Sequence, residues 1–229
     1  MNFNLKDIAE ISNLEDLNKY DTKKPIFLGS YLFEYLIMDN KLDILKLKKF
    51  PLNQYNTYGL NGFHLAARFH KYNILNYFIK TYPDYIYNLS EKKSYFTMFI
   101  TEYDNNFITF LKDNQKINLS KLLTSYNINK ISTLDMIFLQ GKLNVIMYVL
   151  DNINIIFKDS LLRPSFFYLL YNKNLKTKEQ FKIFDKIYKL KKDNLDLIDS
   201  DGKNILFYLK DLEFFEYFYE KNVNFDYFI

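Results

Sequence analysis

Apolar residues along this chain fall into pairs of short helical stretches divided by polar turns. The clearest pair covers 59–79. Phe63, Ala66 and Ala67 lie on the first stretch, and Ile74, Leu75, Phe78 and Ile79 on the second. The stretch from Arg68 to Asn73 separates them. Steps of three and four mark an amphipathic helix, so this stretch predicts an antiparallel helical hairpin. Neither half is long enough to be stable alone in water. One hairpin cannot bury its own apolar faces, so it needs copies stacked on either side. The Ala pair lets the helix backbones approach closely.

The pattern recurs. Residues 31–49 carry Phe33, Leu36 and Ile37, then Ile44 and Leu45, and Pro51 stops the second helix. After 94–100, Asp104-Asn105-Asn106 predicts a turn before Phe107, Ile108, Phe110 and Leu111. A longer connection, 112–129, follows. Leu134, Ile137 and Phe138 then precede Val145, Ile146, Val149 and Leu150. A fifth unit starts at Arg163-Pro164-Ser165-Phe166 and carries an insertion over 172–179 before Phe181, Ile183, Phe184 and Ile187. The sixth starts at Asp199-Ser200-Asp201-Gly202, a strong turn signal, and its outer helix around Phe214–Phe218 arrives about three residues early. Residues 3–20 predict a polar-faced helix pair at the end of the stack, with Asn13 as a cap. The anchors Phe33, Phe63, Phe96, Leu134, Phe166 and Leu206 are spaced by 30, 33, 38, 32 and 40 residues.

The stretch from Gly59 to Ile79 resembles one ankyrin repeat. Gly59 stands at the first Gly of the family pattern, Phe63 at the Leu of T-P-L-H, His64 at its His, and Ala66-Ala67 at the Ala pair. Thr133-Leu134-Asp135, Gly141 and Val145-Ile146 give the next best match. The resemblance implies an all-α, ankyrin-like solenoid of stacked helix-turn-helix repeats with short hairpin loops. N-terminal capping helices would occupy 1–24. About six divergent repeats would fill 25–229, at 31–50, 58–82, 91–112, 129–151, 161–190 and 199–229. No repeat keeps the full T-P-L-H, and only one keeps Ala-Ala. Leu36-Ile37, Phe99-Ile100, Ile137-Phe138 and Leu169-Leu170 stand in that slot elsewhere, which would widen or irregularly curve the stack.

Composition changes this picture in one respect. Of the 229 residues, 21 are Tyr and 23 Phe, with 5 Gly, 4 Pro and no Cys or Trp. Arg occurs only at 68 and 163, and Ala only at 9, 66 and 67. Residues with A/T-rich codons have displaced the others, which points to a very AT-rich source such as a large DNA virus, a protist parasite or an endosymbiont. Without Cys there is no disulfide framework and no thiolate metal site, and a reducing, intracellular location is expected. The N-terminus lacks a signal-peptide layout, and no apolar run reaches the roughly 18 residues that span a bilayer.

Candidate chemistry is sparse. His64 and His70, the only histidines, sit six apart on different helical faces, so no shared metal is expected. The resemblance gives His64 a structural hydrogen bond near the hairpin and leaves His70 at the surface. Asp199-Ser200-Asp201-Gly202 has the start of a calcium loop without its chelating Glu. No nucleophile–base pair stands out. The expectation is therefore a non-enzyme with no cofactor and no metal. Net charge is +4 and pI about 8.8. The runs Lys46/Lys48/Lys49, Lys92/Lys93 and Lys186/Lys189/Lys191/Lys192 are read as solvated outer faces. Phosphate or nucleic-acid contact is the alternative, and two Arg offer little base readout.

The resemblance further implies a protein partner on a concave face, formed by hairpin tips and the inner helices. Transferring those slots gives Met38 and Asp39 (beside Ser30), then Tyr58, Leu60, Arg68 and Phe69. The third and fourth repeats add Lys93 and Glu102 (beside Thr101), then Gln140 (beside Leu139). The fifth adds Tyr171 (beside Arg163). Arg68 and Phe69 are the expected anchors, being residue types that dominate interface energetics. Together, resemblance and codon bias imply a viral or pathogen protein acting on a host factor. Separately, a monomer is expected, with no nucleic acid and no membrane involved.

Overall fold

The structure, a computed structural model, describes residues 10–27, 29–52, 54–83, 105–114, 123, 131–152, 164–190, 196–209 and 211–223. They are mostly helical, with a single two-stranded antiparallel sheet among them. The chain divides into two compact units, Met1–Phe99 and Ile100–Ile229.

In the first unit, α1 (Leu14–Asn18) is capped by Asn13, whose side chain accepts from the Asp16 amide at 3.0 Å. A short hairpin of β1 (Pro25–Phe27) and β2 (Ser30–Tyr31) follows. Two helical hairpins come next. One joins α2 (Leu32–Met38) to α3 (Leu42–Leu47), the other α4 (Gly62–Arg68) to α5 (Tyr72–Thr81). Helix α2 packs on α4, and α1 on α3. Leu32, Phe33, Leu36 and Ile37 of α2 are fully buried, as are Phe63, Ala66 and Ala67 of α4. The Phe63 ring meets Phe78 of α5 at 5.3 Å. These are the apolar positions that spacing alone assigned to the core.

The hairpins share their backbone chemistry as well as their spacing. Each inner helix ends in a Schellman turn. The Lys41 amide donates to Leu36 O at 2.8 Å and the Asn40 amide to Ile37 O at 3.0 Å, with Asn40 at φ 57°. Thirty residues on, the Lys71 amide donates to Ala66 O at 2.8 Å and the His70 amide to Ala67 O at 3.0 Å, with His70 at φ 54°. The helix starts repeat too. Tyr31 N–H donates to Glu34 Oε1 at 2.7 Å, and Asn61 N–H to His64 Nδ1 at 3.2 Å, both capping boxes. A glycine at positive φ, Gly29 or Gly59, stands two residues before each cap. A Cβ on Gly29 would lie 2.6 Å from Thr57 Cγ2, so the loop before α2 stacks tightly on the loop before α4.

In the second unit, α6 (Asn105–Asp113) precedes the hairpin of α7 (Thr133–Gln140) and α8 (Leu143–Asn152). A 3-10 helix (Ser165–Tyr171) is then followed by α9 (Thr177–Leu190), and a second 3-10 helix (Ile205–Tyr208) by α10 (Leu212–Glu220). One row of elements runs α7, Ser165–Tyr171, Ile205–Tyr208, each packed on the next. The other runs α6, α8, α9 and continues to α10 through Phe181, Phe184, Phe214, Tyr217 and Phe218. Polar bridges tie each hairpin to its neighbour. Asn172 Nδ2 donates to Phe138 O at 2.8 Å and Gly141 O at 2.9 Å, and Asn144 Nδ2 to Asn105 Oδ1 at 2.7 Å. Lys186 pairs with Asp151, and Lys221 with Asp185 at 2.7 Å.

Several expectations change. The strand pair at 25–31 was not foreseen, and Asn105-Asn106 open α6 rather than form a turn. The inner elements of the fifth and sixth units are 3-10, not α. Pro164 gives the first of these no side-chain cap. Asn204 takes the Leu206 amide, at N2, where Asn61 and Ser132 take the amide at N3, so its turn tightens. Residues 1–9 and most of the third repeat, 91–104, lie outside the described residues.

Candidate partner surface

Inner helices α2 and α4 are sheathed by their neighbours along nearly their whole length. Every α4 residue from Gly62 to Ala67 is buried. Their side chains reach the surface where the helices stop. Met38, the last residue of α2, is 44% exposed, and Asp39 beside it is exposed. At the matching positions of α4, Arg68 is exposed and Phe69 half-buried. Because α2 packs on α4 and the two Schellman turns superimpose in hydrogen-bond pattern, these four residues share one edge of the first unit. Arg68 and Asp39 make no ion pair among the described residues. Asp39 sits at a helix C-terminus, where the backbone dipole disfavours an anion, and Arg68 is the cation that such an end favours.

The other expected contact residues are dispersed. Tyr58, 71% exposed, stands on the loop before α4, at the opposite end of that helix. Leu60 does not belong to an exposed set. It is 6% exposed, folded inward because its amide and carbonyl are both taken by Asn56. Gln140 and Tyr171 are half-buried in the second unit, where the Gln140 carbonyl accepts from Asn174 Nδ2 at 2.6 Å. Ser30 is half-buried. Lys93, Glu102, Thr101 and Arg163 lie outside the described residues.

The residues singled out for chemistry turn out to be occupied by the fold. His64 is fully buried and completes the α4 capping box, as expected of it. His70, expected at the surface, is half-buried and holds the left-handed turn position. The Asp199 carboxylate organises its own loop. Its Oδ1 accepts from the Asp201 amide at 2.8 Å and the Lys203 amide at 2.9 Å, while Oδ2 accepts from the Tyr208 hydroxyl. Asn56 does the same for the loop before α4, accepting from the Tyr58 and Leu60 amides at 3.0 Å each. Its Nδ2 also donates to buried Glu34 at 2.7 Å. Sequence reasoning missed this shared loop, although its signal was present: Asn56 and Asp199 each precede a glycine by three and an Asn cap by five.

Asp135 is a deeply buried carboxylate of the second unit. Burial pushes its carboxyl above the ordinary value, opposed by Ser165 and by Ser132, whose amide donates to Oδ2 at 2.7 Å. No group of three or more His, Cys, Asp or Glu able to hold a metal occurs among the described residues. None of their helices is long and apolar enough to cross a membrane. No protein-family model matches the chain, and no curated protein matches it.

Proposed function

We propose that the chain is an ankyrin-like stack of helical hairpins that binds a protein partner and catalyses no reaction. The contact is made by the edge carrying Met38, Asp39, Arg68 and Phe69, within the broader face expected from the resemblance. The observation that carries this reading is the repetition of one hairpin, 30 residues apart, whose inner helices reach solvent at their C-terminal ends with different side chains. A fixed scaffold presenting different side chains at equivalent positions is how repeat proteins build binding surfaces. Met, Phe and Arg are favoured at interface centres. The AT-rich composition fits a viral or pathogen protein acting inside a host cell on a host factor.

The phosphate-binding alternative gains less. Lys46 pairs with Asp43 at 3.3 Å, Lys48 Nζ donates to Asn18 at 3.3 Å, and Lys186 pairs with Asp151. Those runs are partly neutralised within the chain. The test compares partners retained from host-type lysate by wild type, by Arg68→Glu/Phe69→Glu and by Lys80→Glu, an exposed control on α5. The proposal expects a nuclease-resistant protein kept by wild type and the control and lost by the double variant. Recovery that vanishes with nuclease, or that the double variant keeps, overturns it.

A further inference from the structure

The second unit carries two charged rows that are only partly compensated among the described residues. Helix α9 presents Lys178, Lys182, Lys186 and Lys189 at steps of four, four and three, with Ile183, Phe184 and Ile187 buried on its other faces. Lys186 is paired to Asp151, and Lys189 lies one turn from Asp185, whose carboxyl is held low, against burial, by Lys221 and Tyr217 first and by Lys189 last. Lys178 and Lys182 are exposed and have no ion pair among the described residues. Helix α10 contains no basic residue and presents Glu213, Glu216 and Glu220, all exposed and likewise without an ion pair.

Two of these charges stand against their own helices. Lys178 lies in the first turn of α9, where the backbone dipole favours anions, and Glu220 ends α10, where it favours cations. Each position disfavours its own helix slightly. Both conflicts are relieved together if the start of an α9 meets the end of an α10.

We propose that these rows form a self-association seam, with α10 of one copy docking antiparallel on α9 of a second copy. In that register Lys178 faces Glu220, Lys182 faces Glu216 and Lys189 approaches Asp211. The rows have comparable lengths, about 16 Å over 178–189 and about 13 Å over 211–220 at helical rise. The complementary charge on one unit favours a second copy over a nucleic acid, whose phosphates the α10 carboxylates would repel. Because α9 and α10 lie side by side in each copy, the contact can close as a two-fold pair in which each α9 meets the other copy's α10. It uses surfaces of the second unit only and goes beyond the partner edge of α2 and α4. It also replaces the expected monomer with a salt-sensitive equilibrium.

The test is the weight-average mass of the full chain by light scattering, in about 20 mM and about 500 mM salt, which bracket weak and strong screening. Wild type should rise from 27.8 kDa toward at least twice that mass with concentration in low salt, and return to monomer in high salt. Lys178→Glu/Lys182→Glu and Glu216→Lys/Glu220→Lys should each stay monomeric, and an equimolar mixture of the two should associate again. Circular dichroism melts check that both variants fold. If either does not, carbodiimide cross-linking of mixed isotope-labelled and unlabelled wild type should join 178 or 182 of one copy to 216 or 220 of another. A wild type monomeric throughout, variants that associate like wild type, or a mixture that stays monomeric overturns the proposal. So does a wild type that stays monomeric while binding an oligonucleotide in low salt, which would make the lysine row a polyanion surface.

Discussion

At the scale of single residues, one backbone position is served by three chemistries. Glu34, His64 and Asp135 all stand third in an inner helix and accept the amide of its cap. Any acceptor of suitable reach suffices there, so His, Glu and Asp are interchangeable at that position. At Asp135 the acceptor is charged and buried, and its carboxyl titrates above 3.8. Between 3.8 and that raised value the folded chain therefore holds more protons than the unfolded one. The group's contribution to stability is full below 3.8 and is lost as pH rises through the folded value. Asp135→Asn keeps the acceptor without the charge. It should match or exceed wild type in urea melts at pH 7, with the gap closing toward pH 4. Asp135→Ala leaves the buried Ser132 amide unpaired and should cost about 1–3 kcal/mol. Glycine matters in two different ways within one aligned slot. Asn40 holds φ 57° there, so Asn40→Gly should stabilise by about 1 kcal/mol. Gly141 has an ordinary φ of −66° but no room, since a Cβ would lie 2.4 Å from Ile137 O. Gly141→Ala should cost about 1–3 kcal/mol through overpacking, measured in the same melts.

At the scale of elements, neighbouring hairpins are fastened by side-chain amides as well as by apolar packing. Asn172 is the plainest case, buried with its Nδ2 shared between Phe138 O and Gly141 O. Asn172→Ala strands two carbonyls and should cost about 1–3 kcal/mol in urea melts. Asn172→Asp should be worse than Ala, because it sets a carboxylate against those carbonyls. An Asp variant as stable as wild type would sink this account. Such bridges set the limit of what spacing reveals. Helical periodicity in Phe33, Leu36, Ile37 and in Phe63, Ala66, Ala67 was legible because the steps of a helix fix which residues share its face. The αL turns were less legible, since Asn40 and His70 replace the glycine that usually marks them. The 3-10 geometry of Ser165–Tyr171 was hidden, because its apolar residues suit an α-helix equally well. Of the candidate surface, Met38, Asp39 and Arg68 are exposed. Leu60 turned inward because Asn56, three residues before Gly59, captures its backbone at both ends.

At the scale of the whole molecule, stability in a stack is a sum of each hairpin and the contacts it makes with its neighbours. The described contacts follow that rule: α2 meets α4, α8 meets α9, and Asn172 reaches only the hairpin before it. Damage should therefore stay near its source instead of lowering protection everywhere. Phe63 and Phe184 are both fully buried, one in each compact unit. Truncating either to Ala should cost about 3–5 kcal/mol locally. Native-state hydrogen exchange then separates two outcomes. With Phe63→Ala, amides of α2, α4 and α5 should exchange faster by that free energy while those of α8 and α9 keep their wild-type rates. With Phe184→Ala the pattern should reverse, α8, α9 and α10 losing protection and α4 retaining it. A uniform loss across both units in either variant would mean that the chain unfolds as one cooperative body. The nearest-neighbour argument, and with it the proposed stack of hairpins, would then fail.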